Sequence, residues 1–155
     1  MSADLGPEAG IYARKSAYLE RYVQLGIASG QLISVSFPDD SEGETDHELL
    51  ERVFAYLEGE RDGFDDVAVA LTVPTTQRQV LEQVRTIPYG RQITVKELAG
   101  MTPDLDREDA DDLQAVRVAL DANPTPLVIP DHRVRDGPSA APPSVEQRLR
   151  SLEGL

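Results

Sequence analysis

The stretch Ile129-Pro130-Asp131-His132-Arg133-Val134 sets an acid, an imidazole and a guanidinium side by side, directly after the apolar run Leu127-Val128-Ile129. That order reads as a buried strand or extended segment ending in a chemical site. Three chemistries are open to the carboxylate of Asp131. It could attack carbon as a nucleophile and form an ester that water hydrolyses. It could ligate a metal together with His132, although neighbouring residues on an extended segment point apart and no third ligand is in view. It could instead accept hydrogen bonds from nearby backbone N–H groups or from Arg133 and hold a turn without reacting. The last reading is adopted, and neither a metal nor a cofactor is expected.

Composition narrows the choice. None of the 155 residues is Cys, which removes disulfides, thiolate metal sites and a thiol nucleophile from consideration. The net charge of −13 comes from 28 acids against 15 bases, and Lys15 and Lys96 are the only lysines. Abundant carboxylates with scarce Lys fit a halophilic surface, because at about 1 M salt the Debye length is only about 3 Å and like charges hardly repel. Acidity then argues little against nucleic acid as a partner. No run approaches the roughly 18 apolar residues of a membrane span. The opening MSADLGPEAG lacks the basic and apolar regions of a signal peptide. A cytoplasmic monomer without membrane contact is expected.

The elements that position the site divide by charge. Residues 1–72 carry 15 acids and 5 bases, and residues 73–155 carry 13 and 10, which places a domain boundary near Thr72. In the first part, Tyr22–Ile27 and Leu32–Phe37 alternate like strands joined at Ser29-Gly30. A helix follows from about Asp46, with Leu49, Leu50, Val53, Phe54 and Leu57 on one face and Gly59 past its end. Gly63–Leu71 reads as a loop entering a short strand. In the second part, Thr75 or Thr76 caps a helix through Val80, Leu81, Val84 and Ile87 that Pro88 ends. Thr94-Val95-Lys96-Glu97 is a capping box for a short helix stopping at Gly100. The acidic loop Asp104–Asp112 leads to a helix through Leu113, Val116, Ala119 and Leu120, closed by Asn123-Pro124. A last helix starts near Ser144 and buries Val145, Leu149 and Leu152. The two middle helices have the order of a helix-turn-helix.

The run IPYGRQITVKELAG, then ALDANPTPLVIPDHRV and a closing RLRSLEG, resembles the alkylguanine-DNA alkyltransferases, or methylated-DNA–protein-cysteine methyltransferases. The resemblance spans residues 75–155. It implies an α+β protein: a small N-terminal α/β domain of hairpin and helix over residues 1–72, then a helical, winged-helix-like DNA-binding domain with a helix-turn-helix over residues 73–155. In that family a Cys thiolate takes the alkyl group from the 6-oxygen of a flipped guanine and the protein is consumed. The resemblance puts Asp131 in the Cys position, His132 and Glu153 in the positions that activate the thiolate, and Asn123 where an Asn supports the turn. The site is thus degenerate, and no catalytic residue is expected. DNA-binding positions carried over are Tyr89, Val95, Gln114, Arg117 and Arg133.

Several of these depart from the family pattern. Val95 stands where a Tyr helps rotate the nucleotide, and Gln114 where an Arg fills the vacated stack. Arg117 and Val118 replace small residues, usually two Gly, on the recognition helix. Arg117 could substitute for the missing Arg one turn further on or pair with Asp121 on the surface, and the surface pair is expected first. Asp109, Asp111 and Asp112 suit a helix N-terminus but oppose a docked phosphate. The loop after Val134 is short, and the pocket is expected to be open or absent. The resemblance implies a non-catalytic homologue that binds double-stranded DNA carrying alkylated guanine in DNA repair, with a repair protein as partner. The alternatives are a structural or protein-interaction module, and an Asp-dependent hydrolase.

Overall fold

A computed structural model describes residues 9–155. Three antiparallel strands lie in chain order: β1 (Gly10–Ser16), β2 (Arg21–Ala28) and β3 (Gln31–Ser36). The helices are α1 (Glu48–Leu57), α2 (Thr75–Val84), α3 (Val95–Met101), α4 (Ala110–Asp121) and α5 (Pro143–Leu152). The architecture is α+β. Ser29 (φ 53°) and Gly30 (φ 75°) make the two-residue turn between β2 and β3, because a primed turn needs both central residues left-handed. The strand β1, not anticipated from the sequence, pairs along its whole length with β2. Its outer edge bonds to Glu44, with Ala13 N donating to Glu44 O at 2.7 Å.

His47 starts α1, its Nδ1 accepting from Leu49 N at 3.0 Å. The helix buries Leu49, Leu50, Val53, Tyr56 and Leu57. Phe54 remains half-exposed under the Arg14 guanidinium. The expected Thr cap of α2 is not formed: Thr75 is already helical, and Pro74 occupies the cap position with no side-chain bond. Nor does Gly63–Leu71 enter a strand. It touches β3 at a single bridge, Leu32 N donating to Ala68 O and Ala70 N to Leu32 O.

Leu127–Ile129 is a turn rather than a strand. Leu127 has φ 79°, and Ile129 N folds back to donate to Thr125 O at 2.8 Å. The run is apolar because it lies between two cores. Leu127 and Val128 join the sheet, α1 and the α5 residues Val145 and Leu149 in the first core. Ile129 joins Val80, Leu81, Val84, Leu98, Val116 and Leu120 from α2, α3 and α4 in the second. Packing therefore crosses the sequence boundary at Thr72. The α3 capping box is present, with Thr94 Oγ1 accepting from Glu97 N at 3.1 Å and Glu97 Oε1 from Thr94 N at 3.3 Å. Residues 102–109 join α3 to α4, a longer link than the turn of about 3–4 residues in a compact helix-turn-helix. Among the described residues no helix is long and apolar enough to cross a membrane.

Candidate functional site

The site is built on two buried carboxylates. Just past α4, Asn123 uses its whole carboxamide to shape the turn. Its Nδ2 donates to Ile129 O and to Asp131 Oδ2, both at 3.0 Å, and its Oδ1 accepts from Thr125 N at 3.0 Å. Asp131 opens a single 3-10 turn, Asp131–Arg133, and is only 1% exposed. Besides Asn123, it accepts from Ser139 Oγ at 2.5 Å and from Ala140 N at 3.0 Å. Burial pushes its pKa above the usual carboxylate range, and these donors oppose that shift without cancelling it. The expectation that Asp131 accepts hydrogen bonds and holds the turn describes this geometry. The suggested donor Arg133 does not, because it turns away to Glu153.

Glu153, just after α5, gathers the other cluster. His132 Nε2 lies 2.7 Å from Glu153 Oε2, and Arg133 binds it in bidentate fashion through Nε (2.8 Å) and Nη2 (3.0 Å). Gly90 N donates to Oε1 at 3.0 Å. Tyr56 OH, from α1, donates to Oε2 at 2.5 Å. Burial alone would raise the pKa of Glu153, but the bonds from His132 and Arg133 outweigh it and hold the carboxyl well below its usual range. Burial and the adjacent Glu153 charge push the Tyr56 phenol far up, so it stays a donor. His132 Nδ1 is buried without a protein partner. Arg150 Nη1 and Arg133 Nη1 fasten the backbone at His132 O (2.9 Å) and Ile87 O (2.7 Å).

The carried-over site residues Asn123, Asp131, His132 and Glu153 thus converge, and Arg133 joins them. The carried-over DNA positions separate. Gln114 is exposed on α4 and Arg117 half-exposed beside it, without the expected pair to Asp121; Arg117 has no ion pair among the described residues. Val95 is 1% exposed, and Arg133 is 2% exposed and fully engaged, so neither side chain faces a groove. Tyr89 is half-buried edge-on against Tyr56, with the Arg61 and Arg133 guanidiniums over its ring. The pocket expected to be open or absent is filled at Asp131 by Ser139 and Ala140. Sequence reasoning missed Tyr56. Its signal was a tyrosine on the buried face of α1, where the hydroxyl must find a partner inside. Among the described residues no group of three or more His, Asp or Glu side chains is arranged to hold a metal.

Residues 75–146 match the family model described as the DNA-binding domain of 6-O-methylguanine DNA methyltransferase. A methylated-DNA–protein-cysteine methyltransferase of Methanopyrus kandleri is 34% identical over 109 residues, 69% of this chain and 78% of that protein. The chain belongs to the methylated-DNA–protein-cysteine methyltransferase family. The Metallosphaera sedula methyltransferase is 32% identical over 110 residues, 68% of this chain, and the match spans 64% of that protein's length. The O6-methylguanine methyltransferase of Mycobacterium tuberculosis superposes with a TM-score of 0.70 at 20% identity, covering 94% of this chain and 90% of that one. That of Pyrococcus kodakaraensis gives 0.69 at 23%, covering 94% and 99%. At such identities these likenesses concern the fold. A further Mycobacterium tuberculosis structure, the protein in complex with DNA, gives 0.68 at 21%, covering 92% and 89%.

Proposed function

We propose that this chain is a non-catalytic member of the methyltransferase family that engages double-stranded DNA carrying alkylated guanine and takes no alkyl group from it. One observation carries the reading: the nucleophile position holds a carboxylate that is 1% exposed and already committed to Asn123, Ser139 and Ala140. A carboxylate is a harder and weaker nucleophile toward alkyl carbon than a thiolate, and no Cys exists elsewhere in the sequence. Hydrolysis through an Asp131 ester is disfavoured on the same ground, since both carboxylate oxygens already accept hydrogen bonds. DNA contact falls to the outer face of α4, where Gln114 and Arg117 are accessible. The names of the relatives and the DNA-bound family structure support DNA as the partner.

A second reading, a protein-interaction module without damage recognition, is favoured by the filled site and by Asp109, Asp111 and Asp112 at the start of α4. Intact-mass measurement after incubation with methylguanine duplex tests the first point. The expected protein mass is unchanged, and a stoichiometric methyl adduct on Asp131 overturns the non-catalytic reading. Loss of all duplex binding favours the second reading instead.

A further inference from the structure

Between Val134 and α5 the chain crosses the site as a short strap. Ser139, Ala140 and Ala141 lie between Pro138 and Pro142, which themselves lack an N–H. Two of the strap's donors converge on one carboxylate, and a third bonds within the segment. Ser139 Oγ donates to Asp131 Oδ1 at 2.5 Å and accepts from Ala141 N at 3.1 Å, while Ala140 N donates to Asp131 Oδ2 at 3.0 Å. Upstream, Asp136 Oδ1 accepts from Val95 N at 2.7 Å. Gly137 is pressed into the second core, where a Cβ would lie 2.6 Å from Leu120 Cδ1. Packing thus clamps the upstream end, and Asp131 ties down the middle.

A hydroxyl, a backbone N–H and a carboxamide aimed at one buried point are the donors with which proteins bind a carboxylate or carbonyl oxygen. Here the oxygens come from the protein itself. We propose that Asn123 Nδ2, Ser139 Oγ and Ala140 N form an oxygen-binding pocket that Asp131 occupies as an internal ligand, and that residues 138–141 are a strap held shut by that contact. The contact is autoinhibitory: any external oxygen ligand, a base carbonyl included, must displace Asp131 and lift the strap. The inference deepens the proposed function but does not need DNA to be bound.

Hydrogen exchange on the full chain, without DNA, tests it. In Asp131→Ala the Ala140 and Ala141 amides are expected to exchange at least about tenfold faster, while α1 and α2 keep their protection. Formate, which restores the missing carboxylate, is expected to slow that exchange in the variant and to leave wild type unchanged. Unchanged exchange at Ala140, or a rise that formate does not reverse, overturns the proposal. Should Asp131→Ala fail to fold, Ser139→Ala removes one donor and leaves the carboxylate, and faster exchange at Ala140, whose own acceptor is Asp131, is still expected. No change there also overturns it. Because no DNA is present, failure of the DNA-binding reading leaves this result standing.

Discussion

Replacing Glu153 by Gln removes one charge from the best-connected buried point of the molecule. Its carboxylate accepts from Tyr56, His132, Arg133 and Gly90, and its side chain is fully buried. Gln has nearly the same shape but offers one oxygen and adds two N–H groups among donors. The Arg133 guanidinium, itself 2% exposed, is then left buried without a countercharge. Breaking a buried ion pair from one side costs about 3–5 kcal/mol. At about 2–4 °C per kcal/mol for a chain of this size, the Tm is expected to fall by about 6–20 °C at pH 7. Thermal and urea unfolding measure it. The pH dependence gives a second check. The folded pKa of Glu153 lies below its unfolded value, so its stabilisation is complete above the unfolded value of about 4.3 and declines as pH falls below that. Wild type and Glu153→Gln are therefore expected to converge in stability on acidification. A Tm change below about 3 °C, or a difference that persists unchanged at acid pH, refutes the reasoning.

Asp131→Cys restores a thiol beside His132 and Glu153, yet efficient repair of duplex is not expected, because Val95 is buried and Gln114 lacks the cation of Arg. Losing about 3 kcal/mol of base-flipping assistance slows reaction on duplex by about a hundredfold, so free alkylguanine base is expected to react relatively better when both substrates are assayed. Arg117→Gln is expected to weaken duplex binding and to reduce the magnitude of its log–log salt slope by about 1, read from titrations at graded KCl. Gly137→Ala places a Cβ 2.6 Å from Leu120 Cδ1 and 3.2 Å from Val95 Cγ2, and urea unfolding is expected to show a loss of about 1–3 kcal/mol.

Much of the frame was legible because local chemistry and tertiary packing agree. The Ser29-Gly30 turn, the Thr94–Glu97 capping box and the apolar face of α1 each specify their own geometry. Leu127–Ile129 misled because an apolar run reports burial and not extension, and here it spans two cores. The strand β1 was hidden because its residues do not alternate cleanly: Ile11 is exposed, Tyr12 and Ala13 are both buried, and Arg14 and Lys15 follow side by side. At the site, the motifs that carry the family resemblance brought out Asn123, His132 and Glu153. They could not reveal that Arg133 and Tyr89 turn inward, since the Glu153 carboxylate that draws Arg133 in lies 20 residues away. Nor could they show that Ser139 and Ala140 close over Asp131. That depends on the path of the strap, which no periodicity encodes.

The central claim is most directly tested by titrating the protein into two labelled duplexes of identical sequence, one carrying a single O6-methylguanine, in parallel at low salt and in molar KCl. Reversible binding to both with tighter binding to the methylated duplex, and full release of unmodified protein on denaturation, is the expected result. Equal affinity for the two duplexes contradicts recognition of alkylated guanine, and absence of binding to either contradicts a DNA-directed role altogether.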